Sequence, residues 1–269
     1  MVRDAAAARP ARGPGVTMAF HSTSVPEIAA WAADAEQRGV PAVWLSEAWR
    51  ELAVPLTAVA AATHHIPIGA GVMQIFPAHP VLTALQAMQL QELSGGRFEL
   101  GLGLGAGFVV ERWFGVPYER PLRRMKEFVE VVRGVMDSRH GRPFSYAGEI
   151  FRVHKYTMPF GTELPDVPVS IAAVGPKMLE LAGEVADGVI LGAIHSPAYL
   201  AEVRRRLAAG NLSGRAVRRL LRSSAGRDED QHVETGGRRG RFAASGSAQR
   251  ACGFGAGAAS ALIEARARR

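Results

Sequence analysis

The stretch from Ser94 to Gly107 reads SGGRFELGLGLGAG and has a glycine at every second position from Gly101 onward. A dinucleotide-binding loop needs G-x-G-x-x-G directly after the first strand of its fold and at the start of a helix. Here the third glycine of that pattern would fall on Ala106 if the pattern starts at Gly101, or on Phe108 if it starts at Gly103. In addition, three predicted strands precede the stretch. The glycines therefore predict a slim fourth strand whose last two glycines lie in the turn beyond it.

Strand and helix patterns alternate on both sides of this stretch. Apolar runs predict strands at 15–20, 42–46, 66–72, 97–103, 165–173 and 187–193, each followed by an amphipathic helix pattern. Such alternation is typical of a parallel sheet covered by helices. Six βα units predict an α/β fold, a TIM-type (β/α)8 barrel that lacks its last βα units. An open, doubly wound sheet is the competing architecture, and residues 144–153 predict a hairpin insertion around Gly148.

The basic charge of the chain belongs to its C-terminal part. Residues 1–207 contain 20 Lys and Arg against 20 Asp and Glu, whereas residues 208–269 contain 12 Arg against 5 acidic residues. The composition of 208–269 predicts a disordered or out-of-frame tail after a barrel domain at 15–207. Our hypothesis is that the authentic sequence ends near Leu207, and the alternative is an arginine-rich tail that binds nucleic acid.

Other sequence features restrict the class of protein. The single cysteine, Cys252, excludes a disulfide framework and a cysteine zinc site, and it suits a reducing cytoplasm. No apolar run approaches the ~20 residues that a membrane span needs. Residues 1–14 lack the apolar core of a signal peptide and predict a disordered lead-in. No spacing of ligand residues indicates a metal site. We therefore expect a cytoplasmic protein that binds neither a metal nor a membrane.

Several polar or aromatic residues follow the predicted strands, at the edge where barrels bind ligands. Glu47 ends the second strand and is either a functional carboxylate or a helix-capping partner. Trp49, Gln74 and His195 are candidates for a substrate pocket, although Trp49 is equally suited to the core. The segment AAVGPK (172–177) runs into a helix N-terminus, whose free N–H groups form an anion site, or it is an ordinary turn.

Five segments together resemble the luciferase-like monooxygenase superfamily, most closely its deazaflavin-dependent branch that uses coenzyme F420. They are AAWAADAEQRGVPAVWLSE (29–47), IPIGAGV (66–72), HPVLTALQAMQLQELSGGRFELGLGLG (79–105), ERWFGVPYERPLRRMKEFVEVVRGVM (111–136) and IAAVGPKMLELAGEVADGVI (171–190). The resemblance extends from about residue 15 to 207 and implies a (β/α)8 barrel with an insertion region.

The resemblance implies a deazaflavin ring, or FMN as the alternative, over the C-terminal mouth of the barrel. Glu47 matches an acidic position next to the ring, and the bond between Gly71 and Val72 matches a non-prolyl cis peptide behind it. Two segments match those that hold the phosphate-bearing chain of the cofactor; they are Gly105, Ala106 and Gly107, and Ala172, Ala173, Val174 and Gly175.

The resemblance also implies an activity, which is hydride transfer between a small organic substrate and coenzyme F420. An FMN-dependent monooxygenase and an inactive truncated product are the alternatives. Relatives that oxidise sugar phosphates have a histidine for proton transfer where this chain has Ala48, so the proton donor is unassigned. A homodimer is the expected assembly.

Overall fold

The computed structural model describes residues 16–18, 23–47, 50–191 and 196–209. Its strands are β1 (Val16–Met18), β2 (Val43–Leu45), β3 (Ile68–Ala70), β4 (Met73–Gln74), β5 (Phe98–Gly103), β6 (Phe144–Ala147), β7 (Arg152–Tyr156), β8 (Val169–Ala172) and β9 (Gly188–Ile190). Its α-helices are α1 (Val25–Gln37), α2 (Ala53–Ala62), α3 (Pro80–Leu93), α4 (Gly107–Trp113), α5 (Pro121–Asp137), α6 (Pro176–Val185) and α7 (Pro197–Ala209). None of these helices is both long and apolar enough to cross a membrane.

The main sheet is parallel and follows the order of the chain. Its strand order is β1-β2-β3-β5-β8-β9, with the short β4 paired beside β5. The helices contact one another in the same sequence, from α1 with α2 through α3, α5 and α6 to α7. A doubly wound sheet reverses its strand order at a switch point, and this sheet never reverses. The predicted barrel architecture is therefore confirmed through six βα units, and the doubly wound alternative is wrong.

Local signals in the sequence set several element boundaries. Ser24 and Glu27 form the predicted capping box at the start of α1. His79 caps α3, because its Nδ1 accepts a hydrogen bond from the Val81 N–H at 3.3 Å. The predicted strand at 66–72 differs from the structure, since only β3 lies within it and the chain then breaks at 71–72 before the short β4 begins at Met73. The predicted hairpin insertion is present as the antiparallel pair β6 and β7.

Glycines allow neighbouring segments to approach one another closely inside the sheet. A Cβ on Gly101 would lie 2.0 Å from the Ala70 carbonyl oxygen, and one on Gly103 would lie 2.3 Å from Val72 Cγ2. These separations are far shorter than a van der Waals contact, so a side chain at either position would displace β3 or the turn after it. The slim strand expected from the alternating glycines is confirmed.

Glu127 of α5 holds the turn of the hairpin insertion against the barrel. Its carboxylate accepts hydrogen bonds from the backbone N–H groups of Glu149, Ile150 and Phe151 at 2.9–3.1 Å. Burial alone would raise the pKa of Glu127, but these three donors together lower that pKa below its ordinary value. The carboxylate therefore stabilises the fold above its unfolded pKa, and this contribution is lost as the pH falls through its native pKa.

Glu127→Gln is expected to lower the free energy of unfolding by about 3 kcal/mol at neutral pH, since charge-assisted hydrogen bonds are lost. The difference from the wild type should shrink as the pH falls through the native pKa of Glu127, which lies below the ordinary value, because the carboxyl is then protonated in both states. Urea unfolding at neutral pH and at several acidic pH values measures this. Glu111→Gln, at an exposed position of α4, is the control and should change little. A difference that does not depend on pH would contradict the assignment.

Candidate functional site

The residues predicted to bind a ligand lie at one edge of the sheet. Strands β2, β4, β5 and β8 are parallel, and their carboxyl ends meet at the same edge. Glu47 follows β2, Gln74 ends β4, and the turn Gly105–Gly107 follows β5. The segment Ala172–Gly175 begins at the end of β8, the neighbour of β5. The fold therefore brings together four segments that are far apart in the sequence.

Hydrogen bonds of Glu47 join the end of β2 to two nearby residues, Val72 between β3 and β4 and Gln74 at the end of β4. The Gln74 backbone N–H donates to Glu47 Oε2 at 2.5 Å, and the Gln74 side-chain Nε2 donates to the Glu47 carbonyl at 3.2 Å. The Glu47 N–H donates to the Val72 carbonyl at 3.3 Å. The helix-capping alternative does not hold, because the first N–H of α2 donates to Glu51 and not to Glu47.

The pKa of the Glu47 carboxyl is shifted toward neutral pH. Burial raises the pKa of its carboxyl to about 7, while the Gln74 N–H opposes the shift and the nearby Glu51 carboxylate adds to it. A carboxyl with such a pKa exists in both protonation states near neutral pH. It is suited to hold or release a proton, and carboxyls of this kind are concentrated at functional sites.

The peptide bond between Gly71 and Val72 is cis, as the family resemblance implied. It lies between β3 and β4, directly before the residue whose carbonyl accepts from Glu47.

The Gln74 side chain presents a hydrogen-bond acceptor, its Oε1, to the turn Gly105–Gly107, which we call the glycine turn. Its Nε2 faces the Glu47 carbonyl, so its Oε1 faces Gly105. This oxygen is buried and has no donor among the described residues. Gly105 has φ +73°, and a Cβ there would lie 2.3 Å from the oxygen. Both the conformation and the space require glycine at this position. Buried acceptors without donors are uncommon in proteins and indicate a site for a ligand or water.

The segment Ala172–Gly175 ends at the N-terminus of helix α6. Gly175 is the N-cap of α6 and Pro176 occupies the first turn, as the sequence predicts. Ala173 is buried, whereas the side chain of Val174 is 69% exposed. A Cβ on Gly175 would meet no atom of the described residues within 4 Å, so these residues leave the position beside the Gly175 α-carbon open. Backbone N–H groups at such an end favour an anion.

Two residues near the glycine turn were not found from the sequence. Tyr118 packs against Gly107, where an added Cβ would lie 3.5 Å from the ring, and it stacks on Phe76 at 4.5 Å between centroids. The Arg124 guanidinium carbon lies over the Phe76 ring, 4.8 Å from its centroid. The sequence shows three arginines at 120, 123 and 124, and no local signal separates them.

The remaining candidates stay predictions. Trp49 and His195, proposed for the substrate pocket, lie outside the described residues, as do Ala48 and residues 210–269. Within the described part of the chain, no group of three His, Cys, Asp or Glu side chains could hold a metal ion.

The arrangement is that of a (β/α) barrel through six units, with the predicted site residues Glu47, Gln74, Gly105–Gly107 and Ala172–Gly175 at the carboxyl ends of its strands. A family model described as luciferase-like monooxygenase matches residues 6–233. The chain belongs to the luciferase-like monooxygenase family.

Curated relatives and a solved structure agree with this family. The chain is 37% identical over 163 residues to a 5,10-methylenetetrahydromethanopterin reductase of Archaeoglobus fulgidus, covering 60% of this chain and 47% of the relative. It is 35% identical over 196 residues to the Methanolobus tindarius reductase of the same name, covering 72% and 58%. The coenzyme F420-dependent tetrahydromethanopterin reductase of Methanopyrus kandleri shares the fold, with TM-score 0.64, 24% identity, and 79% and 64% coverage. The chain spans about half the length of the curated relatives it matches.

Proposed function

We propose that this protein is an oxidoreductase that transfers a hydride between a small organic substrate and coenzyme F420. The observation that carries the proposal is the meeting of Glu47, the turn Gly105–Gly107 and the segment Ala172–Gly175 at one edge of the barrel. The names of the reductase relatives, and the F420 dependence of the Methanopyrus kandleri enzyme, support it.

The residues present fit a flat ring with a phosphate-bearing chain. The turn Gly105–Gly107 has two glycines, so a ligand can approach its backbone closely. The free space at Gly175 and the N-terminus of α6 suit a phosphate. The unsatisfied Oε1 of Gln74 and the half-buried carboxyl of Glu47 are polar groups of the kind that orient a ring edge.

Each part of the site has a separate task in this proposal. The bound deazaflavin supplies the ring carbon that accepts or donates the hydride. The backbone of Gly105, Ala106, Gly107 and of Ala172, Ala173, Val174, Gly175 holds the chain of the cofactor. Gly71 and Val72 would back the ring, and Glu47 would hold a proton or a hydrogen bond at the edge of the ring. Trp49, Gln74 and His195 border the substrate, and the protein acts as a homodimer in the cytoplasm.

Equilibrium titration of the purified chain with F420 and with FMN tests the proposal. Fluorescence quenching of each cofactor gives its dissociation constant. Tighter binding of F420 supports the proposal, whereas tight FMN binding with no F420 binding would favour a flavin-dependent monooxygenase. Binding of neither cofactor would identify an inactive product.

Glu47→Gln is expected to change how stability depends on pH. The native carboxyl keeps its proton up to about pH 7, whereas the unfolded one loses it near pH 4.3. Its contribution is therefore full below the unfolded pKa and is lost as the pH rises through the native pKa. The variant, which does not titrate, should match the wild type near about pH 4 and exceed its stability near about pH 8. Urea unfolding measures this, with the exposed Glu119→Gln as control. Parallel pH profiles would show that the pKa of Glu47 is ordinary.

A further inference from the structure

Arg124 is a partly buried cation with no ion-pair partner among the described residues. It lies in the first turn of α5, with its guanidinium carbon 4.8 Å from the Phe76 centroid and 5.5 Å from the Phe151 centroid. Its Nε is buried without a hydrogen-bond partner, and no ion pair joins Arg124 to another described residue. Burial, and the neighbouring Arg120 to a smaller extent, lower the pKa of its guanidinium, while the Glu127 carboxylate opposes this shift.

Three other arginines that are partly or fully buried donate to acceptors of the chain, although the Nε of Arg139, like that of Arg50, is also buried without a partner among the described residues. Arg97 donates to the carbonyls of Ala60, Thr63 and Ile66; Arg133 donates to the Val185 carbonyl and Asp187; Arg139 donates to the Met136 carbonyl and Asp166. The acidic residue nearest to Arg124 along α5 is Glu127, and three backbone N–H groups already occupy its carboxylate. The guanidinium of Arg124 therefore keeps donors for a group that is not part of the described chain.

The two rings hold this guanidinium at the ligand-binding edge. Phe76 lies two residues after the end of β4, and Phe151 packs edge-on against His79, the N-cap of α3, at 6.0 Å between centroids. Phe76 also stacks on Tyr118, which lies against Gly107 of the glycine turn. A continuous row of contacts thus connects Arg124 with the turn. Aromatic faces restrict a guanidinium without occupying its N–H groups, and a planar guanidinium matches the oxygens of phosphate or carboxylate.

We propose that Arg124 binds an oxyanion on the chain of the cofactor held at the turn Gly105–Gly107. The proposal rests on the proposed function, because it takes this turn as the place where a cofactor binds. The oxyanion is the phosphate shared by F420 and FMN or a carboxylate that F420 carries beyond its phosphate.

The test compares each cofactor with its core lacking the phosphate-bearing chain. Fluorescence titration gives the dissociation constants of F420 and of its phosphate-free deazaflavin core, and of FMN and riboflavin. The proteins are the wild type, Arg124→Met, Arg124→Lys and Arg112→Met. Methionine keeps an apolar chain between the rings, and lysine keeps the charge but not the planar donors. Arg112 is an exposed arginine at the end of α4 and controls for general electrostatic attraction.

Arg124→Met is expected to weaken F420 binding by about 10-fold to 100-fold and to change binding of the phosphate-free core by less than about 2-fold. Arg124→Lys should recover part of the loss, and Arg112→Met should change neither ligand by more than about 2-fold. A loss for FMN relative to riboflavin as well identifies the phosphate, and a loss confined to F420 identifies the carboxylate. Equal weakening of F420 and its core would instead make Arg124 a wall of the ring site and overturn the proposal, as would no weakening of either.

The outcomes separate this proposal from the proposed function. If the wild type binds F420 tightly and Arg124→Met does not change the ratio of F420 to its core, the inference is wrong and the function stands. If the wild type binds FMN and not F420, the proposed cofactor is wrong and the FMN and riboflavin pair decides the role of Arg124. If neither ring binds, both proposals are wrong.

Discussion

Gly101→Ala is expected to lower the free energy of unfolding by about 3 kcal/mol or more. The new Cβ would lie 2.0 Å from the Ala70 carbonyl oxygen and 2.5 Å from Ile190 Cδ1. The Ile190 side chain can rotate away, but the carbonyl belongs to β3, which is paired with β2 and β5. Relief of the clash therefore requires two strands of the sheet to separate.

Urea unfolding of Gly101→Ala and of Gly175→Ala measures this effect. Gly175 has an ordinary extended conformation, with φ −83°, and a Cβ there would meet no atom within 4 Å. The control should therefore lose no more than about 1 kcal/mol, the scale of a helix N-cap change. Equal stability of the two variants would show that β5 does not approach β3 as closely as the structure has it.

Gly105→Ala is expected to weaken F420 binding by about 50-fold or more, which corresponds to more than about 2 kcal/mol. Two changes act together at this position. The residue has φ +73°, which L-amino acids rarely adopt, and its Cβ would lie 2.3 Å from Gln74 Oε1. The turn must therefore move or displace Gln74, whose backbone and side chain both hold Glu47.

Gly95→Ala is the matched control for this prediction. Gly95 also has a positive φ, +65°, but a Cβ there meets no atom within 4 Å, and the residue follows α3 on the amino side of β5. Both variants should lose about 1–2 kcal/mol of unfolding free energy through the strained conformation. Only Gly105→Ala should lose cofactor affinity, as measured by fluorescence titration. Unchanged binding by Gly105→Ala would remove the turn from the proposed cofactor site.

Local chemistry made much of the fold predictable. Pro121 and the apolar periodicity that follows it placed α5 at the observed 121–137, and Ser24 with Glu27 predicted the cap of α1. These signals depend on residues within one or two helical turns. Strand ends were less predictable, and the run at 187–193 contains only the short β9 among its described residues. Strand ends depend on which neighbour supplies the hydrogen bonds, and that neighbour is distant in the sequence.

The sequence predicted which positions form the candidate site, but it did not predict the interactions between them. Glu47, Gln74 and the two glycine segments were found because they follow predicted strands or match the family. The bond from the Gln74 N–H to Glu47 joins residues 27 positions apart, and no spacing indicates it. The raised pKa of Glu47 follows from burial, which the sequence does not contain. Arg124 was missed because two other arginines, Arg120 and Arg123, lie within four residues of it and carry the same charge.

The amino-acid sequence alone determined the alternation of strands and helices, the slim glycine strand and the caps, because each depends on nearby residues. Only the tertiary structure decided the unreversed strand order, the contact between Glu47 and Gln74, and that Arg124 has no ion-pair partner among the described residues. Arg120 and Arg123 pair with Glu149 of the hairpin insertion, whereas Arg124 lies between two aromatic rings. The physical reason is that burial and charge pairing depend on which distant segments the folded chain brings into contact.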